Sequence, residues 1–469
     1  MNRPALPTAL PIALLLAALL GGCATQRHEP RPIEPAAEQA RWLAADPDDP
    51  ALRERLAALG ADTSNWPLPE WNADALTALA LARHPDLAIA RAELQRAEAA
   101  RAAALERGPL GAETTLEHHS ADGVSSSPWS LTLVFDALLT GRERRAAQAE
   151  AAESLAREAV ALAADAAWRS RQRVHGALRE LRHAVPRSRA SEAALAQQRV
   201  IVAALESRLA QGVADRGELL LARRAEGEAQ QQASAAREAV AQAGLALAAA
   251  VNLPATTLTA LRIDTAPAAQ AIDTPAIELQ RAALLNRIDL RAALARYAAA
   301  DAALRVELAK QHPELVLKPG FGWDQGDRLW TLGLALQLPP GGRNQAAIAQ
   351  ASAQREIDGA RVLALQAAAL ATLDAARQSL AAARLRRDEA EARWSLAREQ
   401  LARTERRFDG GGADRIERAA ARLAAADAER QFVEAQAAQA MALGALEDAV
   451  QQPLEAPARG FASTRAGAR

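Results

Sequence analysis

The chain has 469 residues and a formal net charge of −1, and half of its residues are hydrophobic while only 3% are aromatic. Five Phe, one Tyr and eight Trp cannot supply the aromatic area that a broad globular core normally buries, so a compact aromatic-rich enzyme is not expected. Fifty-six basic against 57 acidic residues imply no nucleic-acid partner from bulk charge.

Length allows about three domains of ~150 residues, but abundant Ala and Leu favour thin layers of closely packed helices instead. Only Lys310 and Lys318 are lysines, the other basic residues being Arg; a codon-composition bias accounts for that.

The chain opens with an address. Arg3 supplies a positive start, and Ala5 to Leu20 form an apolar stretch interrupted by Pro7 and Pro11, too short for a membrane-spanning helix of ~20 residues. It ends Leu20-Gly21-Gly22-Cys23, which looks like a bacterial lipobox whose Cys is acylated after the signal is removed. Cys23 is the only cysteine, and lipid attachment explains a lone thiol in an oxidising compartment; a plain secretory signal with a chance Cys is the alternative. Ala24 after the Cys favours the outer membrane by analogy with such lipoproteins. No later segment offers ~18 uninterrupted apolar residues, so any bilayer crossing must use strands.

Residues 24–70 are rich in Pro, Asp and Glu and read as a tether with one short helix near Pro50 to Leu59. A pattern then appears twice. Leu81-Ala82-Arg83-His84-Pro85-Asp86-Leu87 is matched 203 residues on by Leu284-Leu285-Asn286-Arg287-Ile288-Asp289-Leu290. Trp129-Ser130-Leu131-Thr132-Leu133 and Gly141-Arg142 recur 201 residues on, at Trp330-Thr331-Leu332-Gly333-Leu334 and Gly342-Arg343. Gly212 to Glu218 recurs at Gly411 to Glu417, an offset of 199. Landmarks in one order at nearly constant offset mark a duplication. The expected organisation is a signal peptide over 1–22, a lipidated tether over 23–71, a first repeat over 72–255, a linker over 256–273, a second repeat over 274–455 and a disordered tail over 456–469.

Each copy predicts the same parts. A helix comes first, Asp74 to Arg107 and Thr274 to Gln311, with Asp74 and Thr274 as N-caps. Two strand-like runs follow a Gly/Pro break. A long helix is next, Glu143 to Gln211 and Arg343 to Asp409, and Pro186 predicts a kink or short break in the first of these. After a Gly-containing turn a shorter helix returns, Glu218 to Val251 and Glu417 to Gln451. At 1.5 Å per residue the long helix would span ~100 Å and each short one ~50 Å, so two short helices end to end match one long helix. The product is a wall one helix thick. Runs such as Arg223 to Glu228 and Arg403 to Arg407 read as its solvated faces.

In the strand-like runs Trp129, Leu131, Leu133 and Phe135 alternate with Ser130, Thr132, Val134 and Asp136. Trp330, Leu332, Leu334, Leu336 and Leu338 alternate with Thr331, Gly333, Ala335 and Gln337. Period-two alternation headed by Trp suits a barrel strand with one face to lipid and one to a polar lumen; half-buried hairpins on a soluble protein are the alternative. Ala112 to His119 and Glu314 to Trp323 are the weaker partner strands, joined through turn signals at Asp122-Gly123 and Asp324 to Asp327. Four strands cannot close a barrel whose smallest bacterial form has eight, and lipid forbids open edges. Spanning strands therefore require an oligomer that shares one barrel.

These parts together, from lipobox through His84-Pro85-Asp86-Leu87, hairpin, Gly-Arg, long helix, Gly turn and return helix, all but the lipobox given twice, resemble the TolC outer-membrane efflux family over residues 72–455. The stretch from Asp49-Pro50-Ala51-Leu52 to Trp71 is similar to lipoprotein members linked to heavy-metal efflux.

The resemblance implies a mainly α fold with a small β part. Duplicated long-helix hairpins would form an α-barrel tunnel, and four transmembrane strands per chain would be shared in a trimeric 12-stranded barrel. It implies outer-membrane lipid, a periplasmic adaptor and an inner-membrane pump as partners, with no catalytic activity and no cofactor beyond the lipid on Cys23.

By the same resemblance the adaptor would dock at the tips Gly212, Val213, Ala214 and Asp215 and Gly411, Gly412, Ala413 and Asp414. The family has apolar or Thr residues after the Gly, where this chain has Ala-Asp-Arg. A periplasmic gate would fall at Glu417 with Arg415, with Ala420 where a second acid could stand; Glu417 and Glu218 as first-turn residues complementing the helix dipole are the other reading. The lipid-facing residues would be Trp129, Leu131, Leu133, Phe135, Trp330, Leu332, Leu334 and Leu336.

His118-His119 is not a metal pair, because strand neighbours point to opposite faces. No P-loop, Rossmann glycine pattern, Cys/His metal spacing or nucleophile motif is present. A lipid-anchored coiled-coil scaffold and a type I secretion conduit remain as other functions; the first leaves the repeated Trp-led alternation unexplained.

Overall fold

The structure, a computed structural model, describes residues 28–106, 110–118, 129–266, 275–324, 327–338 and 344–454. Expectations at Cys23, His119, Asp122-Gly123, Thr274, Gly342-Arg343 and the tail fall outside these residues. Two units divide the chain, Met1–Ala45 and Asp46–Arg469. The first carries α1 (Pro35–Leu43), which opens on a proline whose fixed φ suits a first turn. The tether thus holds a helix that the sequence reading missed, besides the expected one at α2 (Pro50–Ala58).

In the second unit the expected helix of the first repeat is two, α3 (Ala73–Arg83) and α4 (Pro85–Leu105). Pro85 breaks it, since a residue before proline is pushed out of the α region and His84 sits at ψ 129°. The cap of α3 is Asn72, whose Oδ1 accepts from the Ala75 N–H at 2.9 Å, and Asp74 falls inside the first turn. Strands β1 (Leu110–His118) and β2 (Trp129–Leu139) follow. Next come the long α5 (Arg142–Ala210), its return α6 (Arg216–Val251) and a short α7 (Ala255–Ala260).

The second repeat gives α8 (Ala276–Leu285), α9 (Ile288–Ala309), β3 (Glu314–Asp324) and β4 (Asp327–Gln337). It closes with α10 (Gln345–Asp409) and α11 (Arg415–Val450). Pro186 does not interrupt α5, which runs 69 residues through it. Leu181, Ala184, Ser188 and Ala190 around it are buried, and that packing outweighs the ~3 kcal/mol a helical proline costs.

Packing partners order the wall. Toward the sheet α5 lies between α4 and α9, with α10 beyond α9; toward the turns α5 lies between α6 and α11, with α10 beyond α11. The short helices meet end to end as the length argument requires. At one joint α6 ends on Asn252 in the left-handed region, φ 55°, and its Nδ2 donates to the Arg83 carbonyl at 3.1 Å. At the other, Gln451, φ 47°, accepts from the Ile288 N–H while Arg287 donates to the Ala449 carbonyl at 2.8 Å. At both joints side chains of the abutting segment thus satisfy the orphan carbonyl and N–H groups at the helix ends.

Small residues let the axes approach: Ala283, Leu373, Ala376, Leu446 and Val450 form one cluster, and Leu81, Leu87, Ala90 and Ala166 another. Residues assigned to tether and linker also pack into the unit. Trp71 is 1% exposed and pairs in parallel with Ile263.

The sheet, the two tips and a buried ionic joint

The sheet is antiparallel throughout, in the order β1-β2-β3-β4, so the two hairpins join at β2–β3. The register places Leu116, Leu131, Trp323 and Arg328 in one row and Thr114, Leu133, Phe321 and Trp330 in the next. By alternation, Trp129, Leu131, Leu133, Phe135, Trp330, Leu332, Leu334 and Leu336 all share one face. Residues the sequence reading had not assigned join them, namely Leu315, Leu317, Pro319, Phe321 and Trp323. Of the described strand residues on this face only His118 and Arg328 are basic, both near the end away from the helices.

The apolar side chains stand in the open, with Trp330 82% and Leu334 64% exposed. His118 packs edge-on to Trp129 at 4.5 Å and Phe321 to Trp330 at 4.9 Å. From Trp129 to Leu139 is about 34 Å along the strand, which at barrel tilt gives about 25 Å, the height of an outer-membrane apolar band.

Gly, Ser, Thr and charged residues dominate the opposite face. The β2–β3 ladder skips Phe135 and Asp136 opposite Pro319 and Lys318, because Pro319 has no N–H to give. At that gap Lys318 and Asp136 form an ion pair at 3.2 Å.

At the far end of the helices both turns carry a glycine with positive φ, Gly212 at 70° and Gly411 at 74°, a conformation that costs glycine nothing. Asp215 caps α6 through the Gly217 N–H, and Asp414 caps α11 through the Glu417 N–H at 2.8 Å. Glu417 reaches back to the Asp414 N–H at 2.9 Å and completes a capping box; Arg407 lies 3.7 Å from its carboxylate. The two tips are tied together. Arg208 donates to Asp414 at 2.6 Å, and Ile416 packs on Val202, Leu205, Leu219 and Ala222 of the first hairpin. The cap and Arg208 together hold the Asp414 carboxyl below the usual carboxylate range.

The tips differ in a way the repeat hid. Val213, Leu220 and Leu221 are about 70% exposed, and their counterparts are Gly412, Ala419 and Ala420. Arg415 and Glu417 are exposed.

A buried ionic joint escaped the sequence reading because its partners lie far apart in the chain. Glu447 of α11 has no exposed surface and sits 3.6 Å from Arg179 and 3.8 Å from Arg171 of α5. It also accepts from the Leu454 N–H at 2.9 Å. The next residue, Asp448, accepts from the Trp168 indole at 2.9 Å. A cavity of about 370 Å³ beside α9 is lined by Glu158, Arg296, Asp358 and Arg361, and these pair with one another, Arg361 with Asp358 at 2.8 Å and Arg296 with Glu158 at 3.5 Å. Among the described residues no cluster of His, Cys, Asp or Glu could hold a metal, and no helix is long and apolar enough to cross a membrane.

A duplicated helical wall carrying a four-stranded sheet with one exposed apolar face is the fold of the solved outer-membrane channels to which this chain is similar. Residues 279–450 match the family model described as Outer membrane efflux protein.

Solved channels share the fold over most of the chain. The outer membrane protein VceC of Vibrio cholerae aligns with a TM-score of 0.66 at 23% identity, covering 82% of this chain and 97% of its own. The CmeC outer membrane channel of Campylobacter jejuni gives 0.67 at 16% identity, covering 85% and 92%. CusC, described as forming a transmembrane channel, gives 0.65 at 16%, covering 84% and 96%. No curated protein sequence matches the chain. The resemblance read from the sequence therefore holds for the fold, and the family model matches within the second repeat.

Proposed function

We propose that three copies of this chain form a passive duct across the outer membrane and periplasm, anchored by lipid on Cys23. The duct carries small molecules or metal ions delivered by an inner-membrane pump through a periplasmic adaptor. One observation carries the reading: the register gathers the apolar strand residues on one exposed face while the outer edges of β1 and β4 pair with nothing else in the described chain. In lipid such edges must be closed, and further copies of the same sheet close them.

In this reading Trp129, Leu131, Leu133, Phe135, Trp330, Leu332, Leu334 and Leu336 face lipid. The adaptor meets the tips 212–215 and 411–414, and Glu417 with Arg415 lines the constriction. The mass of the detergent-purified protein, combined with negative-stain imaging, tests the assembly. Three chains in a tapered tube well over ~100 Å long support it; a monomer or bare rod overturns it.

Labelled palmitate incorporated by the wild type and lost in Cys23→Ser supports the anchor. Glu417→Gln keeps the capping box, since Gln serves there as well, and removes only the charge. An unchanged cation preference in that variant would dismiss the gate role.

A further inference from the structure

The polar face of the sheet carries an ordered charge distribution that the register makes explicit. In the row farthest from the helices stand Glu117, Asp324 and Asp327 around Ser130, and two rows nearer stands Glu113 beside Val134 and Gly320. One row further toward the helices the four strands contribute Gly111, Asp136, Lys318 and Gly333. Glu314, at the helix end, is paired with Arg144. Among the described strand residues Lys318 is thus the only cation on a face with six carboxylates, and the outer rows hold acids alone.

The Asp–Lys row is sterically fitted. A Cβ on Gly111 would stand 3.1 Å from the Asp136 Cβ, and one on Gly333 would stand 3.2 Å from the Lys318 Cβ. The two glycines leave the pair room to lie along the wall at the ladder gap beside Pro319. Asp136 and Lys318 are each 37% exposed, so the pair faces the open side of the sheet without being cut off from solvent.

We propose that this segment is the duct's charge filter. A balanced Asp136–Lys318 ring is followed outward by rings of carboxylates, which favour cationic over anionic solutes. The proposal rests on the duct reading and adds to it the charge class of the cargo. Rings of one sign inside low-dielectric walls set permeant charge. Successive rows on one face lie about 7 Å apart along a strand, so the Glu113 row stands within the Debye length of about 8 Å at physiological salt of the Asp136–Lys318 row, and the outermost acids, about 14 Å beyond Glu113, form a second, separate ring. A threefold assembly repeats every acid three times. The filter lies at the opposite end of the long helices from Glu417, about 100 Å away, and the two act independently.

Reversal potentials of the full-length protein in planar bilayers under a KCl gradient test the filter. The wild type is expected to pass potassium in preference to chloride. Glu113→Gln/Glu117→Gln, both exposed side chains with little folding role, should lower the permeability ratio at least about twofold. Lys318→Gln should raise it by leaving Asp136 uncompensated. An unchanged ratio in both variants, with conductance intact, overturns the filter and leaves the duct standing. An assembled wild type that conducts no ions overturns the duct reading, and the filter with it.

Discussion

Arg179 lies against the α11 backbone at Gly444 because that position has no side chain: a Cβ there would overlap its guanidinium. The glycine thereby lets Arg179 approach Glu447, which has no exposed surface. Gly444→Ala should displace the guanidinium and lower stability by about 1–3 kcal/mol. Thermal melts of Gly444→Ala, Glu447→Gln and the double variant would show it. Non-additive losses are expected, and simple addition would disprove the shared joint. His175, on the same stretch of α5, is buried, and burial together with Arg171, Arg179 and Arg182 lowers its pKa to about 2. The unfolded chain binds a proton near pH 6.5 and the folded chain does not. The neutral-His contribution to stability is therefore complete above pH 6.5 and declines as pH falls toward 2, by about 2 kcal/mol between pH 6.5 and pH 5. Denaturant midpoints across that range should fall less steeply in His175→Gln, and an identical slope would remove His175 from the acid response.

At the scale of elements the tips and joints bear the strain of a wall one helix thick. Asp414 has two duties, capping α11 and holding Arg208, whereas Asp215 only caps α6. Asp215→Ala should cost about 1 kcal/mol, the usual worth of an N-cap. Asp414→Ala should cost more and also loosen one tip from the other. Hydrogen exchange at Ile416 to Ala419 would rise in Asp414→Ala and rise less in Arg208→Ala, which spares the cap; equal effects would place all of the stabilisation in the tie.

Most elements were legible because their signals are local. Glycine turns, Trp-led alternation and the duplication fixed the order of helices and strands. The break at His84-Pro85 was written in the sequence and was overlooked because apolar periodicity continues across it. Pro186 misled in the other direction, since tertiary packing that no local window contains overrode it. The Arg171–Arg179–Glu447 joint brings Glu447 to two arginines 268 and 276 positions away, and no motif announces such a cluster.

For the whole molecule the decisive issue is which face of the sheet meets lipid, and neighbouring residues on β4 test it. Leu334 stands on the apolar face and Ala335 on the polar one, one residue apart in the same strand. An arginine at a lipid-facing position of a barrel costs about 2–4 kcal/mol near the midplane, while a lumenal position tolerates charge. Leu334→Arg should therefore abolish the heat-resistant oligomer on electrophoresis and reduce the protein recovered in outer-membrane fractions. Ala335→Arg should assemble normally and shift ion preference toward anions. Because three copies share the barrel in this reading, the penalty at Leu334 is incurred three times per assembly, and the expected loss is sharp rather than graded. If the two variants behaved alike, period-two burial would not describe this strand. If Ala335→Arg alone were lost, the sheet would be inside out, and the acidic rows would face lipid, where their desolvation could not be met.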